Sequence, residues 1–378
     1  MKKILAIIIL LSFPIVVKAS EDYTPNATSG ILMEYSTGKI LYEKNANEKL
    51  APASMTKIMT MLLIMEAIDE GKIKLDDMIF VSNNASSMGG SQVFLQPNTS
   101  FKAEELLRSI AIASANDSAV AMAEAISGST SAFVQKMNEK AKKLGATNTN
   151  FANVHGLDDP NHYTTAQDMA LFARELLKYE DILKYSSTYE AYLQKPDGTS
   201  TWMVNTNKLI KYYNGLDGLK TGYTSNAGYC LTATAKRGDM RLISVLMKEP
   251  TSQIRNSETI DLLNYGFSNY KIKTILKRKK DLGRIEVING KKETVNIILA
   301  EDATNIESIN EEKSYTYNIK SINQIKAPVK KGKTVGNLEV ISNGIVIKTV
   351  DIIIKEDVKK ANIWDLYKRN LKYILIGK

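Results

Sequence analysis

The chain has 378 residues, a formal net charge of +9, 44% hydrophobic residues and 24% charged residues. This length predicts roughly two or three domains, and the composition is that of a globular protein with a full core. The single cysteine excludes an intramolecular disulfide, the two histidines exclude a histidine-rich metal site, and no basic stripe of the nucleic-acid-binding kind is present. We therefore expect no metal, no cofactor and no nucleic-acid partner.

The N-terminus has the pattern of a secretory signal. Lys2 and Lys3 precede an apolar stretch at 4–17, and a small-residue cleavage site ends at Ala19. The apolar stretch is short for a membrane-spanning helix and contains Pro14, which favours cleavage over anchoring. The sequence predicts that the mature protein works outside the cytoplasmic membrane.

The first predicted elements are a β-hairpin and a buried helix. Residues 30–35 and 39–43 flank a Gly-containing turn, which is typical of a hairpin. Between Ser54 and Gly71, a start and a stop signal, apolar residues lie on nearly every side of a helix. That pattern predicts a helix buried all round.

Ser54 and Lys57 stand at the head of this helix and form the first candidate for chemistry. Positions i and i+3 share one face of a helix, so the lysine amine can reach the serine hydroxyl. The helix N-terminus also suits a developing oxyanion. A serine nucleophile needs a base, and a lysine serves only when burial or cationic neighbours lower its pKa. Alone, the pair is more often a helix cap beside a surface lysine.

The middle of the chain alternates helical patterns with strands. The predictions are a strand at 79–81, a polar loop at 83–90, helices at 103–113, 116–126, 131–144 and 165–179, strands at 228–236 and 240–247, and a helix at 252–267. Because strands bracket a run of helices, we expect an antiparallel α+β domain rather than a repeating βαβ unit.

Two further motifs hold residue types that suit acyl transfer. Between two predicted helices, the Ser114 hydroxyl can relay a proton to a leaving amine, and the Asn116 amide can hold a carbonyl and a lysine. Lys220-Thr221-Gly222, at the start of a predicted strand, offers a positive charge, a hydroxyl and close backbone approach. Each motif alone is weak, and the first is most often a helix cap.

The chain changes character near residue 270. A basic stretch at 277–280 is typical of a solvated junction, and short alternating segments from 283 to 358 predict a small all-β domain. In the last stretch, 358–378, aromatic and aliphatic residues share one helical face opposite lysines and an arginine. This pattern predicts a helix that lies in the membrane interface, too short and charged to span. The alternative is a terminal helix docked on its own domain.

Taken in order, the three motifs resemble those of penicillin-binding proteins and serine β-lactamases. The resemblance narrows to low-molecular-weight penicillin-binding proteins, the serine-type D-alanyl-D-alanine carboxypeptidases, and covers nearly all of the mature chain. The segments that carry it are Ala51-Pro52-Ala53-Ser54-Met55-Thr56-Lys57, Ser114-Ala115-Asn116-Asp117, Val154-His155-Gly156-Leu157 and Asp217-Gly218-Leu219-Lys220-Thr221-Gly222-Tyr223-Thr224.

The resemblance implies an α+β fold class and a division of the chain. After a signal peptide at 1–19, the catalytic domain at 20–270 would have a five-stranded antiparallel sheet with helices and a helical subdomain. A β-rich domain would follow at 271–357, and an amphipathic membrane-anchoring helix at 358–378.

The resemblance also implies catalytic roles. Ser54 would attack the carbonyl of the penultimate D-Ala of a stem peptide, and Lys57 would take its proton. Ser114 and Lys220 would help deliver a proton to the departing D-Ala amine. Asn116 would orient Lys57 and the substrate amide. Water would then hydrolyse the acyl-enzyme.

For substrate binding, the resemblance implies that Lys220 and Thr221 hold the terminal carboxylate beside Gly222. The backbone N–H groups of Ser54 and Tyr223 would form the oxyanion hole. Some relatives have His in place of Tyr223, so no side-chain role is carried over there.

Three residues with reactive side chains are expected to stay outside the chemistry. His155 matches a family position near the site and is expected to brace its loop. His162 matches no family position and is expected at the surface. Cys230, in an apolar strand, is expected to be a buried small side chain.

Alternative activities are weighed against this one. A class A β-lactamase needs a Glu-bearing loop for deacylation, and the region 151–165 has Asp158 and Asp159 but no Glu. The sequence does little to exclude a cell-wall endopeptidase. A non-catalytic wall-binding protein would be expected to show a damaged motif, and none of the three motifs is damaged. The expected partners are stem peptides ending in D-Ala-D-Ala, β-lactams as covalent inhibitors and the outer face of the cytoplasmic membrane.

Overall fold

The computed structural model describes residues 22–376, and the predicted signal peptide lies outside them. The strands are β1 (Ser29–Glu34), β2 (Ile40–Lys44), β3 (Met78–Phe80), β4 (Ser100–Lys102), β5 (Glu190–Gln194), β6 (Ser200–Val204), β7 (Leu216–Thr224), β8 (Gly228–Arg237), β9 (Met240–Glu249), β10 (Tyr270–Leu276), β11 (Asp281–Ile288), β12 (Thr294–Leu299), β13 (Ala303–Ser308), β14 (Thr316–Ser321), β15 (Gln324–Lys326), β16 (Thr334–Ser342) and β17 (Ile345–Ile354). The helices are α1 (Lys57–Asp69), α2 (Asn83–Ser86), α3 (Ala103–Ala113), α4 (Asn116–Ser127), α5 (Thr130–Lys143), α6 (Ala166–Leu176), α7 (Ile182–Ser186), α8 (Leu209–Tyr212), α9 (Ser252–Asn269) and α10 (Ile363–Ile376).

A five-stranded antiparallel sheet, in the order β2-β1-β9-β8-β7, confirms the predicted α+β fold class. Alternate residues of its central strands enter two different cores because successive side chains in a strand point to opposite faces. Ile31 and Met33 of β1 join the core shared with α1 and α6, whereas Leu32 joins the core beneath α9. The sheet is therefore covered on both faces, and its edge strand β7 is left to line a site.

The helices beside the sheet surround α1. Its thirteen residues are buried on nearly all sides, as the apolar sequence predicts, and it contacts α3, α4, α5 and α6. A short 3₁₀ turn, Ala53–Thr56, leads into α1 and carries Ser54. The helix α3 ends at Ser114, which has left-handed backbone geometry with φ of 64°, and α4 begins two residues later.

The β-rich region has a core of its own. A six-stranded sheet, in the order β14-β16-β17-β12-β11-β15, and the pair β10-β13 confirm the predicted small all-β unit. Ile306 of β13 is buried in the core beneath α9, and Thr304 lies 3.2 Å from the hydroxyl of Ser36 in the β1–β2 turn. The β-rich region thus packs against the sheet that leads to the site.

The C-terminal helix begins later than predicted. Residues 358 and 360 form bridges with β-rich residues, and Asn362 caps the helix by accepting a hydrogen bond from the Asp365 N–H at 2.8 Å. Arg369 donates to the Gly290 carbonyl and pairs with Glu293, which fastens α10 to the β-rich unit. Within residues 22–376, no helix combines the length and the apolar character needed to cross a bilayer.

Two local predictions are corrected, and one hairpin is new. The predicted loop at 83–90 begins with the helix α2, because the Ser82 hydroxyl caps it by accepting a hydrogen bond from Ala85 N–H. The hairpin β5–β6 was not predicted at all. Lys220-Thr221-Gly222 lies in the middle of β7 rather than at a strand start, since Leu216 to Leu219 already pair with β8.

Candidate active site

Ser54 and Lys57 lie together, as their spacing predicts. Ser54 sits in the 3₁₀ turn, half-buried, and Lys57 is the first residue of α1 and fully buried. The Lys57 amine donates to Ser54 Oγ at 3.0 Å and to the main-chain carbonyl of His155 at 2.7 Å. The residue before the serine, Ala53, has φ of +46°, a conformation that a non-glycine side chain disfavours. Such strain is often found where a reactive group must be held in place.

The electrostatic surroundings of Lys57 favour its neutral form. Burial lowers its pKa well below the usual value, and the positive charge of Lys220 lowers it further. The Asp117 carboxylate acts in the opposite direction. A neutral buried amine has a lone pair for a hydroxyl proton, so this pair has the chemistry of an activated serine nucleophile.

Ser114 and Asn116 bring unpartnered polar atoms to the same region. Among the residues that the structure describes, Ser114 Oγ and Asn116 Oδ1 are buried without a hydrogen-bond partner. The Asn116 amide donates to Gly89 O at 2.7 Å, and no hydrogen bond joins it to Lys57. The Lys57 amine donates to Ser54 Oγ and the His155 carbonyl, and the orienting function expected of Asn116 stays a prediction. Buried polar atoms without hydrogen-bond partners are unusual, and a bound group can supply the missing hydrogen bonds at such positions.

The strand β7 places Lys220 and Thr221 at the edge of the sheet. Lys220 is almost fully buried and donates to Thr221 O at 3.1 Å. Burial, with the nearby charge of Arg255, lowers the pKa of Lys220 to about 7. Thr221 Oγ1 donates to Thr206 Oγ1 at 2.7 Å, so the segment that follows β6 forms part of the site. The arrangement offers a cation and hydroxyls for an anionic group.

Gly222 explains how closely β7 approaches the turn that carries Ser54. A Cβ at this position would lie 2.8 Å from Pro52 O and 3.3 Å from the Met55 nitrogen, so a larger residue would push the strand away. The next residue, Tyr223, exposes its ring, which lies against the Tyr229 ring with centroids 4.3 Å apart.

The loop with His155 closes over the other side of the turn. The His155 ring accepts a hydrogen bond from the Leu157 N–H at 3.2 Å, and burial lowers its pKa to about 4. Gly156 has φ of +94°, and a Cβ there would overlap the Ala53 carbonyl. The ring thus holds the loop while the main-chain carbonyl contacts Lys57, which agrees with a bracing function.

The surface location expected for His162 is wrong. Its ring is buried, and burial lowers its pKa to about 4. Its Nδ1 accepts from the Ala152 N–H at 2.9 Å, which leaves Nε2 to donate to Thr56 Oγ1 at 2.7 Å. The Thr56 hydroxyl in turn donates to Ala53 O at 2.8 Å. His162 therefore supports the turn that carries Ser54.

Two further residues were missed by the sequence analysis. Arg255 of α9 is buried, and its charge acts on Lys220 from 35 positions further along the chain. Thr206 contacts Thr221 from the segment that follows β6. Cys230 is buried as expected, and burial raises the pKa of its thiol to about 11. Over the described range 22–376, no group of three or more His, Cys, Asp or Glu side chains is placed to hold a metal ion.

Comparison with known families gives matches to both parts of the chain. The family model described as D-alanyl-D-alanine carboxypeptidase matches residues 16–251, and the model described as penicillin-binding protein 5, C-terminal domain, matches residues 270–360. The chain is 47% identical over 358 residues to D-alanyl-D-alanine carboxypeptidase DacF of Bacillus subtilis, covering 94% of this chain and 91% of that one. It is 34% identical to DacA of Escherichia coli, covering 89% and 85% of the two chains.

Solved structures show the same likeness in three dimensions. Penicillin-binding protein 5 of Haemophilus influenzae superposes with a TM-score of 0.71 at 32% identity, covering 89% of this chain and 98% of that one. Penicillin-binding protein D2 of Listeria monocytogenes, in an ampicillin-bound form, superposes with a TM-score of 0.55 at 30% identity. The latter match covers 64% of this chain and 98% of that one.

Proposed function

Because the chain belongs to the D-alanyl-D-alanine carboxypeptidase family, we propose that the cluster around Ser54 performs the acyl transfer of that activity. The protein is a serine-type carboxypeptidase and a penicillin-binding protein, which removes the terminal D-alanine from peptidoglycan stem pentapeptides. The observation that carries the residue assignment is the 3.0 Å contact between Ser54 Oγ and a fully buried lysine amine. The comparisons favour this activity over a β-lactamase or a non-catalytic wall-binding protein.

In the acylation step, Ser54 Oγ forms a bond to the carbonyl carbon of the penultimate D-Ala. Lys57, neutral because of its lowered pKa, takes the hydroxyl proton. The carbonyl oxygen becomes an oxyanion, for which the backbone N–H groups of Ser54 and Tyr223 are proposed as donors. The close packing of Gly222 against the 3₁₀ turn supports these two donors, because it brings the backbone that leads into Tyr223 close to the turn that carries Ser54.

The tetrahedral intermediate collapses by breaking the peptide bond to the last D-Ala. The departing amine needs a proton, which passes from Lys57 through Ser114, aided by Lys220. The unpartnered hydroxyl of Ser114 supports a relay role, because its hydrogen bonds are left for a bound group. The free Asn116 Oδ1 accepts the N–H of the substrate amide in this proposal. Water then attacks the acyl-enzyme and regenerates Ser54.

Lys220 and Thr221 are proposed to bind the terminal carboxylate. Lys220 has a pKa of about 7, so an anionic ligand beside it favours the charged form. The Thr221 hydroxyl now donates to Thr206 and can turn to the carboxylate while Thr206 remains as its neighbour. β-Lactams carry a carboxylate in the corresponding position, which is consistent with the ampicillin-bound relative.

The division of the chain and its location are further parts of the proposal. We assign residues 20–270 to catalysis, 271–357 to the β-rich domain and 358–378 to membrane attachment through α10, after export directed by residues 1–19. Exposed apolar side chains of α10 support attachment: Ile363, Trp364, Tyr367, Leu371, Ile374 and Leu375.

The activity is tested by D-alanine release from a diacylated tripeptide ending in D-Ala-D-Ala. The protein should release D-alanine and be labelled covalently by penicillin, whereas Ser54→Ala should lose both by at least about a thousandfold and keep its fold. The matched control is Ser187→Ala, at an exposed serine of the same domain, which should behave like the parent. Persistent penicillin labelling of Ser54→Ala would remove this serine from the nucleophile role.

A further inference from the structure

The hairpin formed by β5 and β6 presents two aromatic side chains to solvent. Tyr192 and Trp202 are directly opposite each other in the antiparallel register, and they are 56% and 58% exposed. The other face of the same hairpin is buried through Leu193 and Met203, which anchor it to the protein body. Two adjacent exposed aromatics on a fixed element form a small apolar patch, and such patches can serve as binding sites.

The hairpin holds these side chains in place. Trp202 Nε1 donates to Glu190 Oε2 at 3.1 Å, which sets the orientation of the indole. Arg108 donates to Tyr192 O at 2.9 Å, and Thr201 donates to Val93 O at 3.2 Å. Rigid aromatic side chains give large contact area at a low cost in conformational entropy.

The position of the hairpin connects this surface to the active site. Two residues after β6 ends, Thr206 contacts Thr221 in the site. Trp202 and Thr206 are four positions apart in the chain, so their Cα atoms are at most about 14 Å apart. The substrate of this activity is a stem peptide, which is itself joined to a sugar strand. A peptide held at Ser54 therefore extends its sugar into the surroundings of the site.

The chemistry of the surface fits a sugar ring. A pyranose has a face of C–H groups that packs on a flat aromatic ring, and a rim of hydroxyls that needs polar partners. The strand positions that share a face with Tyr192 and Trp202 carry Glu190, Gln194 and Ser200, all exposed and able to bind hydroxyls. We propose that Tyr192 and Trp202 form a binding platform for the glycan strand of peptidoglycan, so that polymeric substrate is favoured over free peptide.

This inference rests on the proposed function for its substrate, and the experiment compares two substrates. D-alanine release is measured from the free diacylated tripeptide and from uncross-linked peptidoglycan with pentapeptide stems. Trp202→Ala should lower kcat/KM for the polymer about tenfold, and for the free peptide less than about twofold. Trp202→Phe should retain most of the polymer activity because it keeps a flat ring. The control is Tyr317→Ala, at an exposed aromatic residue of the β-rich unit, which should leave both values unchanged.

A binding measurement tests the platform apart from catalysis. With Trp364→Phe, Trp202 is the one remaining tryptophan, so its fluorescence reports on this surface. Titration with glycan strands stripped of their peptides should shift the emission, and Tyr192→Ala should weaken that binding. Equal losses on both substrates, no loss on either, or an emission unchanged by glycan strands would overturn the proposal. If the parent protein released no D-alanine from free peptide, the proposed function would fail, while this titration would still judge the platform.

Discussion

Lys57 and Lys220 are two buried lysines near enough to each other that the charge on Lys220 lowers the pKa of Lys57. Burial also lowers the pKa of Lys220 itself, to about 7. Two neighbouring buried ammonium groups are costly, so a charge on Lys220 favours the neutral form of Lys57. A neutral Lys57 is suited to act as the base for Ser54, and a charged Lys220 is suited to bind the substrate carboxylate.

This relationship predicts a bell-shaped pH dependence of kcat/KM for D-alanine release. Activity should fall at low pH as Lys57 gains a proton, and fall above about pH 7 as Lys220 loses one. Lys220→Arg keeps the positive charge at all accessible pH values, so the alkaline decline should move beyond about pH 9 while the maximum rate drops. Lys236→Arg, at an exposed lysine, serves as the control. A parent profile that rises steadily to pH 9 would contradict the assignment of a charged Lys220.

The contacts by which His162 supports the turn that carries Ser54 give a second prediction. His162→Ala removes one partner of the buried Thr56 hydroxyl and the partner of the half-buried Ala152 N–H. The free energy of unfolding should fall by about 2 kcal/mol, and penicillin acylation should slow because the 3₁₀ turn loses its brace. Chemical unfolding and the acylation rate measure the two effects.

A variant that restores one partner provides the control for His162. His162→Gln has an amide that can donate to Thr56 and should recover part of both losses. Unchanged stability in His162→Ala would mean that the buried contacts of this ring contribute nothing to the turn.

How far the sequence predicts the site depends on how local each contact is. Ser54 and Lys57 are three residues apart, so the geometry of one helical turn already brings them together. The contact of His162 with Thr56 spans 106 residues, and that of Thr206 with Thr221 spans 15 residues that include the unpredicted helix α8. Such long-range contacts leave no periodic pattern in the sequence from which they could be predicted. Likewise, the residue pattern predicted β1, β2, β8 and β9, whereas the five-stranded sheet was implied only by the family resemblance. The start of β7 was misplaced because it contains glycine and a charged residue.

A buried carboxyl group at the end of β9 gives a prediction about stability. Glu249 is buried beside Glu258, which accepts hydrogen bonds from the Asn26 N–H and amide groups and from Ala27 N–H. Burial, with this neighbour, raises the pKa of Glu249 from 4.5 to about 8. Between those values the folded state binds more protons than the unfolded state. The contribution of Glu249 is therefore fully present below about pH 4.5 and is lost as pH rises through 8.

Glu249→Gln should remove that dependence. The free energy of unfolding at pH 8.5 should exceed that of the parent by about 2 kcal/mol, with little difference at pH 4.5. Glu258→Gln is the matched control and should destabilise the protein, because it weakens the acceptor for three N–H donors. Urea unfolding at the two pH values measures both. Equal stability of Glu249→Gln and the parent at pH 8.5 would show that the carboxyl group is ionised without cost.

The final prediction concerns membrane attachment by α10. Trp364 is 71% exposed, and Ile363 and Ile374 are exposed as well. Arg369 attaches the helix to the β-rich unit through its contacts with Gly290 and Glu293. An apolar helical face with aromatic residues, on a basic segment, binds the interface of an anionic bilayer. Removal of residues 361–378 should abolish sedimentation with vesicles that contain anionic lipid, and should leave D-alanine release from free peptide unchanged.

A point variant separates the apolar face from a general effect of truncation. Ile374→Asp places a charge in that face and should weaken vesicle binding by at least about tenfold, since charge is costly in hydrocarbon. Ile345→Asp changes an exposed isoleucine of the β-rich unit and should bind vesicles like the parent. If the truncated protein still sedimented with vesicles, attachment would lie elsewhere in the chain. Equal binding by Ile374→Asp and the parent would instead show that the apolar face of α10 does not enter the bilayer, because a carboxylate buried there would be costly.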